Sequence, residues 1–120
     1  MFIRCRINEK ELKFNNIDEL LKFDRYNQIT FLDCSYNKLT ELPSTLQRLY
    51  CYNNKLTELP KLPSTLQELR CSNNNFMELP ELPSTLQELN CYNNNLIELP
   101  ELPSTLQKLY CYYNNLTELP

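Results

Sequence analysis

Leu82-Pro83-Ser84-Thr85-Leu86-Gln87-Glu88-Leu89-Asn90-Cys91-Tyr92-Asn93-Asn94-Asn95-Leu96-Ile97-Glu98-Leu99-Pro100-Glu101 is the stretch that decides the fold. Its opening, Leu-Pro-Ser-Thr-Leu-Gln, recurs from Leu42, Leu62, Leu82 and Leu102, a period of 20 residues, and Cys51, Cys71, Cys91 and Cys111 keep the same spacing. A period of that length marks a stacked array of one supersecondary unit. Within the unit, Leu89-x-Cys91 alternates apolar with polar positions, which predicts a short strand. Stacking the units sets these strands side by side in a parallel sheet at about 4.8 Å spacing. A lone unit cannot bury both of its flanks, so stability comes from the stack.

Two prolines in four residues, Pro100 and Pro103 with their equivalents, exclude a helix interior on the return path and favour extended or polyproline II backbone. The expected architecture is an α/β repeat solenoid with a parallel concave sheet and an extended convex side. Asn37, Asn54, Asn74, Asn94 and Asn114 fall where the chain leaves the sheet, and their amides can pair backbone groups that the turn strands. Exposed Ser-Thr-Gln, by contrast, is unchanged between units in a way that suggests recent duplication and no structural demand.

The unit fits L-x-x-L-x-L-x-x-N-x-L through Leu86, Leu89, Cys91, Asn94 and Leu96, and the pattern recurs from Ile29, Leu46, Leu66 and Leu106. On these residues the chain resembles the leucine-rich-repeat proteins. The Leu-Pro-x-Leu-Pro return further resembles the short repeat of type III-secreted bacterial effectors, the class of the invasion-plasmid-antigen H ubiquitin ligases and Yersinia outer protein M. Similar arrays occur in giant DNA viruses of amoebae. The resemblance implies a right-handed solenoid. Cys stands where the effectors mostly carry Val or another aliphatic residue.

Residues 29–120 hold five such units, the first three residues short, and residues 1–28 should form an α/β cap. Phe2 to Ile7 alternates, Asn8-Glu9 can turn, and Leu12 and Phe14 can return on a second strand. Asn16 to Phe23 reads as a short helix with Asn16 as N-cap, Glu19 completing a capping box, and Ile17, Leu20, Leu21 and Phe23 on the buried face. The effectors' cap is an α-helical hairpin, so this end differs from theirs. The last repeat stops at Leu119-Pro120 with no polar capping unit, which is expected to expose Leu109, Leu116 and Leu119 and an open strand edge. A short reading frame with a ragged end and a truncated longer parent both fit.

Composition removes most enzyme classes. The chain has no His and no Gly, so it lacks the usual neutral-pH base and every glycine-dependent phosphate loop or nucleophile elbow. Cys5, between Arg4 and Arg6, has no base beside it. The net charge is −3, and beyond Arg25 ten acidic residues face six basic ones, which opposes nucleic-acid binding. The polar N-terminus is no signal peptide, and no apolar run reaches the roughly 20 residues that span a bilayer. These features predict a cytoplasmic location, including a host cell's cytoplasm, with no membrane partner and with free thiols despite six Cys. Abundant Asn, Lys and Tyr hint at an AT-rich genome, fitting a giant virus or a low-GC microbe.

The Cys column, Cys34, Cys51, Cys71, Cys91 and Cys111, reads as an inward ladder of small hydrophobes. Disulfides between neighbours remain geometrically open, and a linear row cannot converge on a tetrahedral metal. Glu41, Glu58, Glu78, Glu98 and Glu118, with Glu81 and Glu101, read as a solvated acidic edge, with Ca²⁺ recruitment the sharper alternative. No metal or cofactor is expected. The best functional candidates are outward sheet positions that change between units: Arg48, Glu68, Glu88 and Lys108 after Phe31; Tyr50, Arg70, Asn90 and Tyr110 after Asp33; and Tyr52, Ser72, Tyr92 and Tyr112 after Ser35. Tyr and Arg dominate binding hot spots, although these tyrosines can also merely pack on adjacent rungs. The expected function is non-catalytic recognition of a protein partner through the concave face, by a monomer or a weak end-to-end oligomer. The alternatives are the substrate-recognition portion of a bacterial-type ubiquitin ligase without its catalytic domain, and a structural assembly element.

Overall fold

The computed structural model describes residues 2–35, 38–52 and 55–118. Asn37, Asn54 and Leu119 lie outside these residues. The chain begins with a hairpin, β1 (Ile3–Ile7) and β2 (Lys10–Phe14), followed by a helix, α1 (Ile17–Lys22), and a 3₁₀ turn at Tyr26–Gln28. Five three-residue strands follow: β3 (Phe31–Asp33), β4 (Arg48–Tyr50), β5 (Glu68–Arg70), β6 (Glu88–Asn90) and β7 (Lys108–Tyr110). They form one seven-stranded sheet in the order β2-β1-β3-β4-β5-β6-β7. Strands β3 to β7 pair in parallel, β3 with β4 at an offset of 17 residues because the first unit is short and the later pairs at the 20-residue period of the repeat, while β1 runs antiparallel to both of its neighbours. The result is a slab of 43 × 28 × 19 Å.

The period explains each rung. Leu32, Leu49, Leu69 and Leu89 point inward and are fully buried, followed one step later by Cys34, Cys51, Cys71 and Cys91. Cys34 N–H donates to Tyr50 O at 2.9 Å, and Cys51, Cys71 and Cys91 donate to the next rung at 2.8 Å, so pairing runs past the strand ends. The return segments carry no helix or strand among the described residues, in keeping with one proline in the first and two in each later one. It closes on a Pro-Ser-Thr-Leu turn, in which Leu86 N–H donates to Pro83 O at 3.1 Å.

Here one expectation fails. The repeated Thr is not idle: Thr85 Oγ1 donates to Leu66 O at 2.7 Å and Ser64 O at 3.0 Å, and Thr65 and Thr105 do the same one rung away. The hydroxyl ties each turn to carbonyls of the preceding rung. Its recurrence is therefore a structural demand, which the exposed character of the motif concealed.

At the N-terminal end the hairpin and helix form as expected, with Asn16 Oδ1 accepting Glu19 N–H at 2.9 Å. The Glu19 carboxylate reaches one residue further back than a capping box requires, accepting Asn15 N–H at 2.9 Å. Of the apolar helix face only Leu20 is fully buried; Ile17, Leu21 and Phe23 are half-covered, and Phe23 packs on Phe14 at 5.1 Å between ring centroids. The edge of the parallel array is closed by β1 itself, with Cys5 paired to Leu32 and buried beside it.

Candidate functional site

Because successive strand residues alternate sides, the register places two rows of outward residues across all seven strands. One row is Glu11, Arg6, Phe31, Arg48, Glu68, Glu88, Lys108; the other is Lys13, Arg4, Asp33, Tyr50, Arg70, Asn90, Tyr110. The array contribution follows from the repeat alone. The first two columns do not, because antiparallel docking of β1 is a tertiary event; the alternation of Ile3, Cys5 and Ile7 inward carried the signal that Arg4 and Arg6 face out.

Charges on this face answer one another. Arg4 donates to Asp33 Oδ2 at 2.9 Å, joining the hairpin to the first rung, and Asp33 also accepts Ser35 N–H at 3.2 Å and Ser35 Oγ–H at 3.0 Å. Arg70 Nε lies 3.0 Å from Glu68 Oε2, an ion pair without hydrogen-bond alignment, and Arg70 Nη2 reaches Glu88 Oε2 at 3.4 Å. Lys108 Nζ approaches the other Glu88 oxygen at 3.7 Å. The Arg70 guanidinium also lies 4.6 Å from the Tyr50 ring centroid, and Tyr50 meets Phe31 edge-on at 5.0 Å. Burial, then the Glu68 carboxylate, pushes the Tyr50 hydroxyl up to about 12.

The tyrosines divide. Tyr50 packs on Phe31 and Tyr52, and Tyr92 stacks on Tyr112 at 4.7 Å with rings 5° from parallel. Tyr110 and Tyr112 keep 43% and 51% of their surface exposed. Packing and availability thus coexist, and availability grows toward β7. Several outward positions are less open than the alternation implies: Phe31 and Asp33 are covered by their neighbours, and Ser72 is only 3% exposed. Ser72 is a small side chain where the neighbouring rungs carry Tyr52 and Tyr92. Asn90 Oδ1 is buried with no hydrogen-bond partner among the described residues.

Behind the sheet, Asn74 Nδ2 donates to Cys51 O, Cys71 O and Ser72 O at 2.9, 3.0 and 3.2 Å, and its Oδ1 accepts Leu56 N–H at 3.2 Å. Asn94 and Asn114 repeat the arrangement. Burial pushes the Cys91 thiol up to about 12 and those of Cys34, Cys51 and Cys71 well above 9.0, the ordinary value. Thiols held protonated in this way are neither nucleophiles nor ready metal ligands. All six cysteines are thiols. A concavity of about 1120 Å³ lies on the return side and offers the same Pro and Ser at Pro63-Ser64, Pro83-Ser84 and Pro103-Ser104. Side-chain chemistry changes from rung to rung on the sheet face.

Residues 44–84 match the family model described as Leucine Rich repeats (2 copies), and residues 28–49 and 85–109 match that of the Leucine Rich Repeat. The chain belongs to the leucine-rich-repeat family. Among solved structures, the leucine-rich-repeat domain of a Shigella effector is 47% identical, with a TM-score of 0.74 over 78% of this chain and 44% of that one. The leucine-rich effector YopM from Yersinia pestis is 44% identical, with a TM-score of 0.75 over 78% of this chain and 28% of its own. YopM from Yersinia enterocolitica is 46% identical, with a TM-score of 0.66 over 71% and 20%. The chain thus spans less than half the length of each of these leucine-rich-repeat proteins. The bacterial effectors that the repeat resembles are also its structural neighbours. No curated protein sequence matches the chain. Among the described residues, no helix is long and apolar enough to cross a membrane.

Proposed function

We propose that this leucine-rich-repeat chain is a non-catalytic recognition module that binds a protein partner through the sheet face, in a host cell's cytoplasm. The observation that carries this reading is the pair of outward rows. They present Tyr, Arg and charged residues that vary along the stack, on a backbone that does not change. Tyr and Arg bury large area while keeping a polar tip, the chemistry of interface anchors. Similarity to bacterial effectors supports the host setting.

The test is capture of partners from eukaryotic lysate by wild type and by a variant with Ala at Tyr92, Tyr110 and Tyr112, both first shown folded by circular dichroism. A protein retained by wild type and lost by the variant is the expected result. Capture that is identical in the two overturns the sheet-face reading. The open edge of β7 favours one other reading, assembly through that end. It would appear in light scattering as a mass that grows with concentration.

A further inference from the structure

Charge is distributed unevenly over this molecule. The two outward rows contain six basic and four acidic residues, whereas the rest of the sequence has six basic and eleven acidic ones. The sheet face is a basic surface on an acidic body. Half of its cations are already answered: Arg4 by Asp33, Arg70 by Glu68 and Glu88, and Lys108 by Glu88. Of the remaining three, Lys13 belongs to the other row, and Arg6 and Arg48 share one. They flank Phe31 in one register row, and neither has an acidic partner among the described residues. The Arg6 guanidinium lies 4.8 Å from the Phe31 ring centroid, which holds it over the aromatic surface. Both arginines are exposed, and they line a cleft of about 340 Å³ whose walls include Thr30, Gln47 and Glu9. Glu9 forms no ion pair with either arginine.

We infer that this cleft is the anchoring subsite of the sheet face, and that it takes a carboxylate side chain from an acidic peptide segment of the partner. The inference rests on the recognition reading above and names the chemistry of what is recognised. The two guanidiniums in the row on either side of Phe31 supply N–H donors of the kind that pair with carboxylates, and Phe31 in the cleft wall offers apolar contact to the methylene stem. Charge complementarity selects the occupant: an acidic segment is attracted to this face and repelled by the Glu-rich remainder of the surface. That difference also fixes where on the molecule such a segment lands.

The experiment measures binding of a fluorescent octaglutamate peptide by anisotropy at low ionic strength. It compares wild type, Arg48→Gln, the Arg6→Gln/Arg48→Gln pair, and Lys55→Gln/Lys61→Gln as a charge-matched control away from the cleft. The expected result is saturable binding, weakened several-fold by the single change and at least tenfold by the cleft pair, and altered less than twofold by the control. No binding to wild type overturns the inference, as does equal weakening by both pairs, which would mean diffuse charge. Binding of a phosphoserine octapeptide with no binding of octaglutamate overturns it in favour of phosphate. Self-association of wild type that the cleft pair abolishes overturns it in favour of a second copy's acidic edge. Partners captured from lysate separate the two levels. A partner lost by the tyrosine variant but kept by Arg6→Gln/Arg48→Gln refutes the subsite and leaves the recognition face standing. Capture unaffected by either variant refutes the face itself.

Discussion

At the scale of single residues, neighbouring asparagines with the same formula do opposite work. Asn74 is 6% exposed and donates to three carbonyls that no strand partner reaches, while Asn75 next to it is exposed and contributes its backbone N–H to Leu56 O at 2.8 Å. Replacing Asn74 with Ala leaves those carbonyls stranded and is expected to cost about 1–3 kcal/mol. Asn75→Ala keeps the backbone bond and should stay within about 0.5 kcal/mol. Urea midpoints at constant slope measure both, and equal shifts would contradict the register. Asn73 and Asn93 hold left-handed backbone at φ 58° and 55°, and the amide of Asn93 bonds that of Asn73. The fifth unit places Tyr113 there at φ 55°. Left-handed backbone costs an ordinary L-residue roughly 1–2 kcal/mol and Asn less. Tyr113 is 77% exposed, so its edge contact with Tyr112 offsets little of that cost. Tyr113→Asn should raise stability by about 0.5–1 kcal/mol in the same assay.

At the scale of elements, a three-residue strand turns one side chain, its central Leu, toward the core and depends on the Cys that follows it. That thiol column gives stability a pH dependence of defined sign. The folded state holds these protons more tightly than the unfolded chain, whose thiols ionise near 9.0, whereas Cys5 is pushed up to about 11 and Cys91 to about 12. The stabilisation is complete below pH of about 8 and falls as pH rises toward the folded values, because the unfolded chain then binds fewer protons. Tyr26 and Tyr50, raised from 10.0 to about 12, add their own loss only higher up. The urea midpoint should therefore fall between pH of about 8.5 and 10. In a variant with Val at Cys34, Cys51, Cys71 and Cys91 most of that fall should vanish, and an unchanged slope would show that ionisation of the column is not its cause.

At the scale of the molecule, protection is graded along the stack. The inner rungs bury Leu66, Leu69, Leu86 and Leu89 completely, whereas Leu106, Leu109 and Leu116 of the last described rung are half-covered, because a neighbour lies on one side only. In a quasi-one-dimensional array each rung is stabilised by its neighbours, so opening starts at the exposed end. Amide exchange should be fastest at β7, slowest at β4 and β5, and slow again at β3, where β1 covers the edge. Uniform exchange along the array would show that the stack opens as one unit.

The repeat was legible residue by residue: its strands, the inward Leu and Cys, the turn amides and the proline-rich return all follow from period and pattern, which are local properties. The hairpin and helix were legible for the same reason, through alternation and the Asn16 cap. What pattern could not supply was which surfaces meet. The repeated Thr looked dispensable because its partners are carbonyls of another rung, about twenty residues away. Ser72 looked open because alternation alone places it outward, whereas the folded stack leaves it only 3% exposed. The cleft over Phe31 needs Arg6 and Arg48 side by side, and that adjacency exists only once β1 docks antiparallel on β3. The sequence alone determined the unit and its stacking, since both repeat at short range. Tertiary structure decided the reach of the face and the placing of its unanswered charges, since these depend on contacts between segments that no local pattern joins.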